Sequence, residues 1–165
     1  MRRSVLLVVA LLAAVGCGGG GDRIPVSRAP LAPEFAVTAF TAGGGAIDLA
    51  GLRANGPVVV NFFESWCSTC NHEQPDLNSV AVRYAGRVAF VGISNRDTVE
   101  DGLRYAAKHA VPYPLAHAPE VWRSYGVPYQ PTTVVISRDG RELERWSGAV
   151  TAEQLTTALD SALTT

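Results

Sequence analysis

Cysteine is scarce in this 165-residue chain: three residues, too few to staple a fold together with several bridges. Methionine is scarcer still, Met1 alone, which leaves nothing from which to build a methionine-rich copper site. An excess of either charge is also lacking. Lys and Arg number 14 against 15 Asp and Glu, and losing Arg2 and Arg3 with an export signal tips the balance further to the acidic side. Such a surface carries no footprint for a phosphate backbone and excludes nucleic acid as a partner. No apolar run reaches the roughly 18–20 residues of a membrane-spanning helix, and no repeat recurs at a solenoid or propeller period. What is there is a chain 47% hydrophobic and 18% charged, with three Trp, five Tyr and five Phe to fill a core. That composition describes a single globular domain.

The N-terminus reads as an address. Met1-Arg2-Arg3 is a positive start, and Val5 to Val15 (VLLVVALLAAV) is an apolar run of signal-peptide length. It stops at Ala14-Val15-Gly16-Cys17, which resembles the lipobox of bacterial lipoproteins, although Ala14 stands where that pattern prefers leucine. The resemblance implies that Cys17 is lipidated and becomes the new N-terminus. The competing reading is an ordinary signal cut nearby, leaving a stray thiol. Gly18 to Gly21 and the proline-bearing stretch to Pro33 show no hydrophobic periodicity and read as a tether outside any core. The expected organisation is a signal peptide at 1–16, a lipidated cysteine and flexible tether at 17–33, and one domain at 34–165.

Within that domain the pattern alternates strand and helix. Phe35 to Phe40 alternates as a short strand, Gly43-Gly44-Gly45 turns it, and Asp48 caps a helical turn reaching Ala54. Pro57 to Glu64 (PVVVNFFE) is a nearly continuous run of β-formers, as a strand covered on both faces requires. Ser68 to Ala85 follows as a helix with Leu77, Val80, Ala81 and Tyr84 at helical spacing and a kink expected at Pro75. Val88 to Ser94 is a second buried strand, and Asp97 with Glu100 reads as a capping box for a helix ending near His109. Pro114 to Ala118 is extended, and Pro119 to Tyr125 is a short helix stopped by Gly126, with Trp122 and Tyr125 facing the core. Thr132 to Ser137 and Arg141 to Trp146 form a hairpin about Arg138-Asp139-Gly140, and Thr151 with Gln154 opens a last helix to about Leu163. This order implies a mixed sheet with helices on both faces.

Trp66-Cys67-Ser68-Thr69-Cys70 carries the chemistry, a C-x-x-C where a buried strand becomes a helix. At a helix N-terminus the free N–H groups and the macrodipole favour an anion, so the Cys67 thiol ionises below the ~8.5 of a free cysteine. The spacing lets Cys70 reach back one turn and attack a mixed disulfide formed at Cys67. Cys67 is thus the attacker and Cys70 the resolver. A zinc site needs two more ligands, and neither a second cysteine pair nor ligand spacing among His72, His109 and His117 is present. An inert structural disulfide is the other alternative, but so short a loop constrains the unfolded chain little.

Val58 to Pro75 (VVVNFFESWCSTCNHEQP) resembles the active-site stretch of the TlpA/ResA/CcmG group of thioredoxin-like thiol-disulfide oxidoreductases. Tyr125-Gly126-Val127-Pro128-Tyr129-Gln130-Pro131-Thr132-Thr133 is similar to that group's Y-G-V-x-x-x-P-T-T, whose proline is cis and faces the C-x-x-C. Ala32-Pro33-Glu34-Phe35, Arg138-Asp139-Gly140 and the final helix also fit, so the likeness runs from about residue 32 to 163. It implies a thioredoxin-like α/β fold: a central mixed β-sheet flanked by helices, with an added N-terminal β element and an inserted helix and strand segment. It makes Pro131 the cis-proline and Trp66, Gln130 and Pro131 a substrate groove. A proline has no N–H to give a central strand, so Pro131 at the start of one is also physically reasonable. The function implied is that of an extracytoplasmic, lipid-anchored monomer exchanging disulfides with cysteines of exported proteins, apocytochrome c among them. A separate redox partner resets the pair. No cofactor and no metal are required, because the cysteine pair holds the two electrons.

Glu73, three residues after Cys70 and on the same helix face, is the candidate general acid/base for the resolving thiol; the alternative is a solvated glutamate. The group places an acid at this position, whereas the buried aspartate that many thioredoxins carry six residues before the first cysteine is here Asn61. Two departures stand out. Thr69 replaces a frequent proline, so oxidising or reducing strength does not transfer. Glu64 replaces a small residue; it is expected in solvent at the strand end, or else as a second carboxylate raising the Cys67 pKa. Two other functions compete: a peroxiredoxin-like thiol peroxidase, whose P-x-x-x-T-x-x-C signature is absent, and a copper(I) metallochaperone, which calls for a wider cysteine spacing and a well-placed histidine.

Overall fold

The computed structural model describes residues 28–41 and 44–164; the expected signal peptide, Cys17 and the expected tether up to residue 27 lie outside the described residues. The run Val58–Phe62 forms β3, buried at every position. Its neighbours explain why. β3 pairs in parallel with β4 (Ala89–Ser94), β4 in parallel with β5 (Leu115–His117), and on its other side β3 pairs antiparallel with β6 (Thr132–Ile136), which continues antiparallel into β7 (Glu142–Ser147). The sheet order is β5-β4-β3-β6-β7, with β3 at the centre.

Alternation along β3 divides the core into two layers. Val59 and Phe63 pack with Leu77 and Val80 of α2 (Ser68–Arg83), Tyr105 of α3 (Val99–His109), and Leu155 and Leu159 of α5 (Ala152–Ala162). Val58, Val60 and Phe62 point the other way, toward Leu49 of α1 (Leu49–Leu52) and Val121 and Trp122 of α4 (Pro119–Ser124). Burying each such side chain contributes roughly 1.5–3 kcal/mol, so this strand anchors both layers. Trp122 and Tyr125 are core, as expected, and the Trp122 indole donates to the Ile93 carbonyl at 2.9 Å.

The expected helices, the β6–β7 hairpin and the Thr151/Gln154 capping box are found, and the Asp48 side chain caps α1 by accepting from Gly51 N at 2.7 Å. Gly140 closes the hairpin with φ +85°, a conformation that a side chain disfavours. Three readings are corrected. The first strand is Ala36–Thr38 (β1), and it pairs with a strand not expected, β2 (Ala46–Asp48), in a separate two-stranded ribbon. The cap of α3 is Thr98 with Asp101, each side chain bonding the other's backbone N–H, one residue later than Asp97 with Glu100; Asp97 is engaged elsewhere. The end of the tether belongs to the core after all. Ala29 and Ala32 are buried, Ala32 N donates to the Gly140 carbonyl, Glu142 N to the Pro30 carbonyl, and the Arg141 guanidinium to the Ala29 carbonyl. Small residues and prolines show no periodicity, yet they leave backbone groups free to pair with a turn over a hundred positions away.

Candidate functional site

The chain leaves the C-terminal end of β3 through Glu64, Ser65 and Trp66, and Cys67 N donates to the Glu64 carbonyl at 3.1 Å, closing a tight turn. Cys67 is the N-cap of α2, and its Sγ accepts from Cys70 N at 3.0 Å. The two cysteines are joined as a disulfide with their Cα atoms 5.2 Å apart. Cys67 is 7% exposed and Cys70 1%, so an incoming sulfur reaches Cys67 first. Trp66 beside it is 58% exposed. The helix N-terminus therefore supplies both the N–H donor and the dipole that stabilise negative charge on the outer sulfur.

Glu73 is 5% exposed, which removes the solvated alternative. Its Oε1 accepts from Asn61 Nδ2 at 3.1 Å and its Oε2 from Val150 N at 3.0 Å. Burial pushes its pKa up to about 7, the Val150 and Asn61 hydrogen bonds resist, and the Asp76 charge adds to the rise. A carboxyl that titrates near neutrality one helical turn from the inner cysteine suits proton exchange with that thiol. Asn61 also donates to Thr133 Oγ1 at 3.0 Å, tying α2 to β6 through β3.

The Gln130–Pro131 peptide bond is cis, as the resemblance implied. Phe62 pairs with Thr132, so Pro131 lies one residue beyond, at the end of β3 from which the cysteine turn departs. Pro131 is buried and Gln130 partly so, and the Pro131 carbonyl accepts from Gly148 N at 2.8 Å. Tyr129 beside them is 51% exposed.

Glu64 is where the expectation of solvent fails: it is 1% exposed. Its Oε1 accepts from Asn95 N at 3.1 Å and Arg96 N at 2.9 Å, and its Oε2 from Asp97 N at 3.1 Å. Burial raises its pKa, the three N–H bonds resist, and the neighbouring Asp97 charge adds to the rise. A loop after β4 folds over the carboxylate, which nothing near Glu64 in the sequence announces. Asn71, also missed, holds the Ser65 and Cys67 carbonyls through its Nδ2 at 2.9 and 2.7 Å, while its Oδ1 meets Lys108 Nζ and His109 Nε2, both at 2.8 Å.

The histidines do not converge on the cysteines: His72 is exposed, His109 meets Asn71, and His117 lies 3.4 Å from Ser94 Oγ. Among the described residues no group of three or more His, Cys, Asp or Glu is placed to hold a metal ion. Cys17 falls outside the described residues.

Residues 30–141 match the model of the AhpC/TSA family. The chain is 28% identical over 158 residues to the thiol-disulfide oxidoreductase ResA of Bacillus thuringiensis (strain Al Hakam), covering 92% of this chain and 90% of that one. Among solved structures it is similar to a secreted Mycobacterium tuberculosis disulfide oxidoreductase homologous to E. coli DsbE, with a TM-score of 0.68 at 28% identity over 77% of this chain and 95% of the other. It is likewise similar to a thiol:disulfide interchange protein of the thioredoxin family from Chlorobium tepidum TLS, with a TM-score of 0.74 at 26% identity over 82% and 97%.

Proposed function

The chain belongs to the AhpC/TSA family, has a thioredoxin-like fold and is a thiol-disulfide oxidoreductase, and from that premise we propose that it acts outside the cytoplasm, tethered to the membrane through a lipid on Cys17, on cysteines of exported proteins. The observation that carries the reading is the pairing of an outer Cys67 at a helix N-terminus with an inner, buried Cys70. A secreted structural neighbour supports the compartment, and Val5 to Val15 followed by Gly16-Cys17 supports the anchor. Among the described residues no helix is long and apolar enough to cross a membrane. Apocytochrome c is the client that the group resemblance implies.

In the reducing direction the Cys67 thiolate attacks one sulfur of a client disulfide, forming a Cys67–client bond and expelling a client thiolate. Glu73 takes the Cys70 proton, and the Cys70 thiolate attacks Cys67 Sγ. The mixed disulfide breaks, the second client thiolate leaves, and two electrons have passed to the client as Cys67 and Cys70 become a disulfide. The oxidising direction is the same sequence reversed, with Glu73 returning the proton to Cys70. Trp66, Gln130 and Pro131 hold the extended client segment. The pair itself carries both electrons, so neither cofactor nor metal takes part; the protein works as a monomer, and a membrane or extracytoplasmic redox partner resets it.

Trapping tests the reading. Cys70→Ala, reduced and mixed with a peptide bearing a disulfide, accumulates one covalent adduct at Cys67, and Cys67→Ala accumulates none. Adducts on Cys67→Ala alone, or fast peroxide consumption by Cys67 without trapping, overturn it in favour of another chemistry. The reduction potential then assigns direction: near the ~−270 mV of thioredoxin the protein donates electrons, and near the ~−120 mV of a strong oxidant it installs disulfides.

A further inference from the structure

The turn that carries Cys67 is held by a reciprocal clasp of two buried carboxylates. Glu64, three residues before Cys67, accepts from the consecutive backbone N–H groups of Asn95, Arg96 and Asp97. Asp97 reaches back: its Oδ2 accepts from Ser65 N at 2.7 Å and its Oδ1 from Ser65 Oγ at 2.8 Å. Both residues are buried, at 1% and 5% exposure. No lysine, arginine or histidine pairs with either carboxylate among the described residues; every partner is a backbone N–H or Ser65. Three successive N–H groups converging on one carboxylate form a cradle that offsets part of its desolvation, and Glu64 occupies it. The loop after β4 and the loop after β3 are thereby locked together at five hydrogen bonds, immediately upstream of the redox-active sulfur.

We propose that Glu64, with Asp97, is a positioning residue for disulfide exchange: the clasp fixes the 64–67 turn so that Cys67 Sγ sits as the cap of α2, within reach of Cys70 N. Glu64 touches neither sulfur, and its action passes through the backbone of Ser65 and Trp66. The competing consequence of a buried anion here is electrostatic, since a carboxylate near a thiol disfavours the thiolate. The two roles move the Cys67 titration in opposite directions when Glu64 is removed. Loss of positioning weakens the cap and raises the Cys67 pKa, whereas loss of a repelling charge lowers it.

The inference rests on Cys67 being the attacking thiol, and the experiment separates the two. The full chain carrying Cys17→Ser and Cys70→Ala, purified in detergent, has Cys67 as its one thiol, and thiolate absorbance near 240 nm follows its titration. In that background Glu64→Ala raises the Cys67 pKa by about one pH unit, the scale of a lost helix-terminus interaction, and slows alkylation near pH 6 about tenfold. Glu64→Gln discards the charge and keeps an Oε1 acceptor for Asn95 and Arg96 but sets its amide NH2 against Asp97 N–H, so it loses that one bond of the clasp and shifts the titration upward by less than Glu64→Ala does. Asp97→Ala, which frees Ser65 without touching the Glu64 side chain, shifts the pKa upward as well. A downward shift in Glu64→Ala and Glu64→Gln alike, or no shift in any variant, overturns the proposal. If Glu64→Ala does not fold, the sign of the change in Glu64→Gln and Asp97→Ala still decides. A parent protein whose Cys67 forms no adduct with a disulfide peptide overturns the role of Cys67 instead, whatever the variants do.

Discussion

Replacing Glu73 by glutamine tests whether a buried carboxyl stores a proton for the inner cysteine. The new side chain fits without an orphaned group: its amide oxygen can accept from Val150 N, and Asn61 can turn its own amide so that its oxygen accepts from the introduced Nε2 and from Thr133 Oγ1. Glu73 titrates at about 7 in the folded protein against an ordinary 4.5. Between those values the folded state keeps a proton that the unfolded chain has released, so the folded state binds more protons and stability falls as pH rises. The gap of about 2.5 pH units, at about 1.36 kcal/mol each, sets a loss of about 3 kcal/mol, complete above pH 7 and absent below about pH 4.5. Urea unfolding of the oxidised protein at intervals from about pH 4.5 to 8, read as the difference between parent and Glu73→Gln, isolates this component because Glu64 and His109 titrate alike in both. The difference falls by about 3 kcal/mol across the window. Resolution of a mixed disulfide by Cys70 slows in the variant by about 100-fold or more and loses its pH dependence near neutrality. A stability difference flat with pH, together with an unchanged resolution rate, refutes the reasoning.

If Trp66, 58% exposed, holds the client as proposed, Trp66→Ala changes unfolding free energy by no more than about 0.5 kcal/mol while mixed-disulfide formation with a peptide slows about tenfold. Thr98→Ala removes the cap of α3 and costs about 1 kcal/mol in chemical denaturation, whereas Glu100→Ala, which lies outside the capping box, costs clearly less. Cys17→Ser abolishes incorporation of a labelled fatty acid that the parent takes up; equal labelling of variant and parent, or none in the parent, excludes the lipid anchor.

The strands, the long helix after Cys67 and the capping box of α5 were legible because each is specified within a few residues. A continuous Val58-to-Phe62 run can only be a strand covered on both sides, and Thr151 with Gln154 closes its own hydrogen bonds. The cysteine pair was legible for the same reason, and so was Pro131, since proline has no donor to place inside a central strand. β2 was not, because a three-residue strand beside three glycines has too few side chains to show a period. The capping residue of α3 was misplaced by one because, in isolation, Asp97 is the better cap of the two and Thr98 the weaker. The choice fell to Thr98 only because Asp97 was needed by Ser65, 32 residues away in the chain.

By itself the sequence determined a mixed α/β domain, a reactive C-x-x-C at a strand-to-helix junction, and an acid one turn beyond it. These depend on local spacing, and spacing survives the loss of every distant neighbour. Only the tertiary structure decided what the two glutamates near the site are. Glu73 holds its proton near neutrality because folding buries it, against the pull of the Asn61 and Val150 hydrogen bonds, and Glu64 is a buried strut because a loop from residues 95–97 wraps it in N–H groups. A carboxylate's charge depends on the desolvation and hydrogen bonds around it, and those are supplied by segments that folding brings together from as far as 77 positions along the chain.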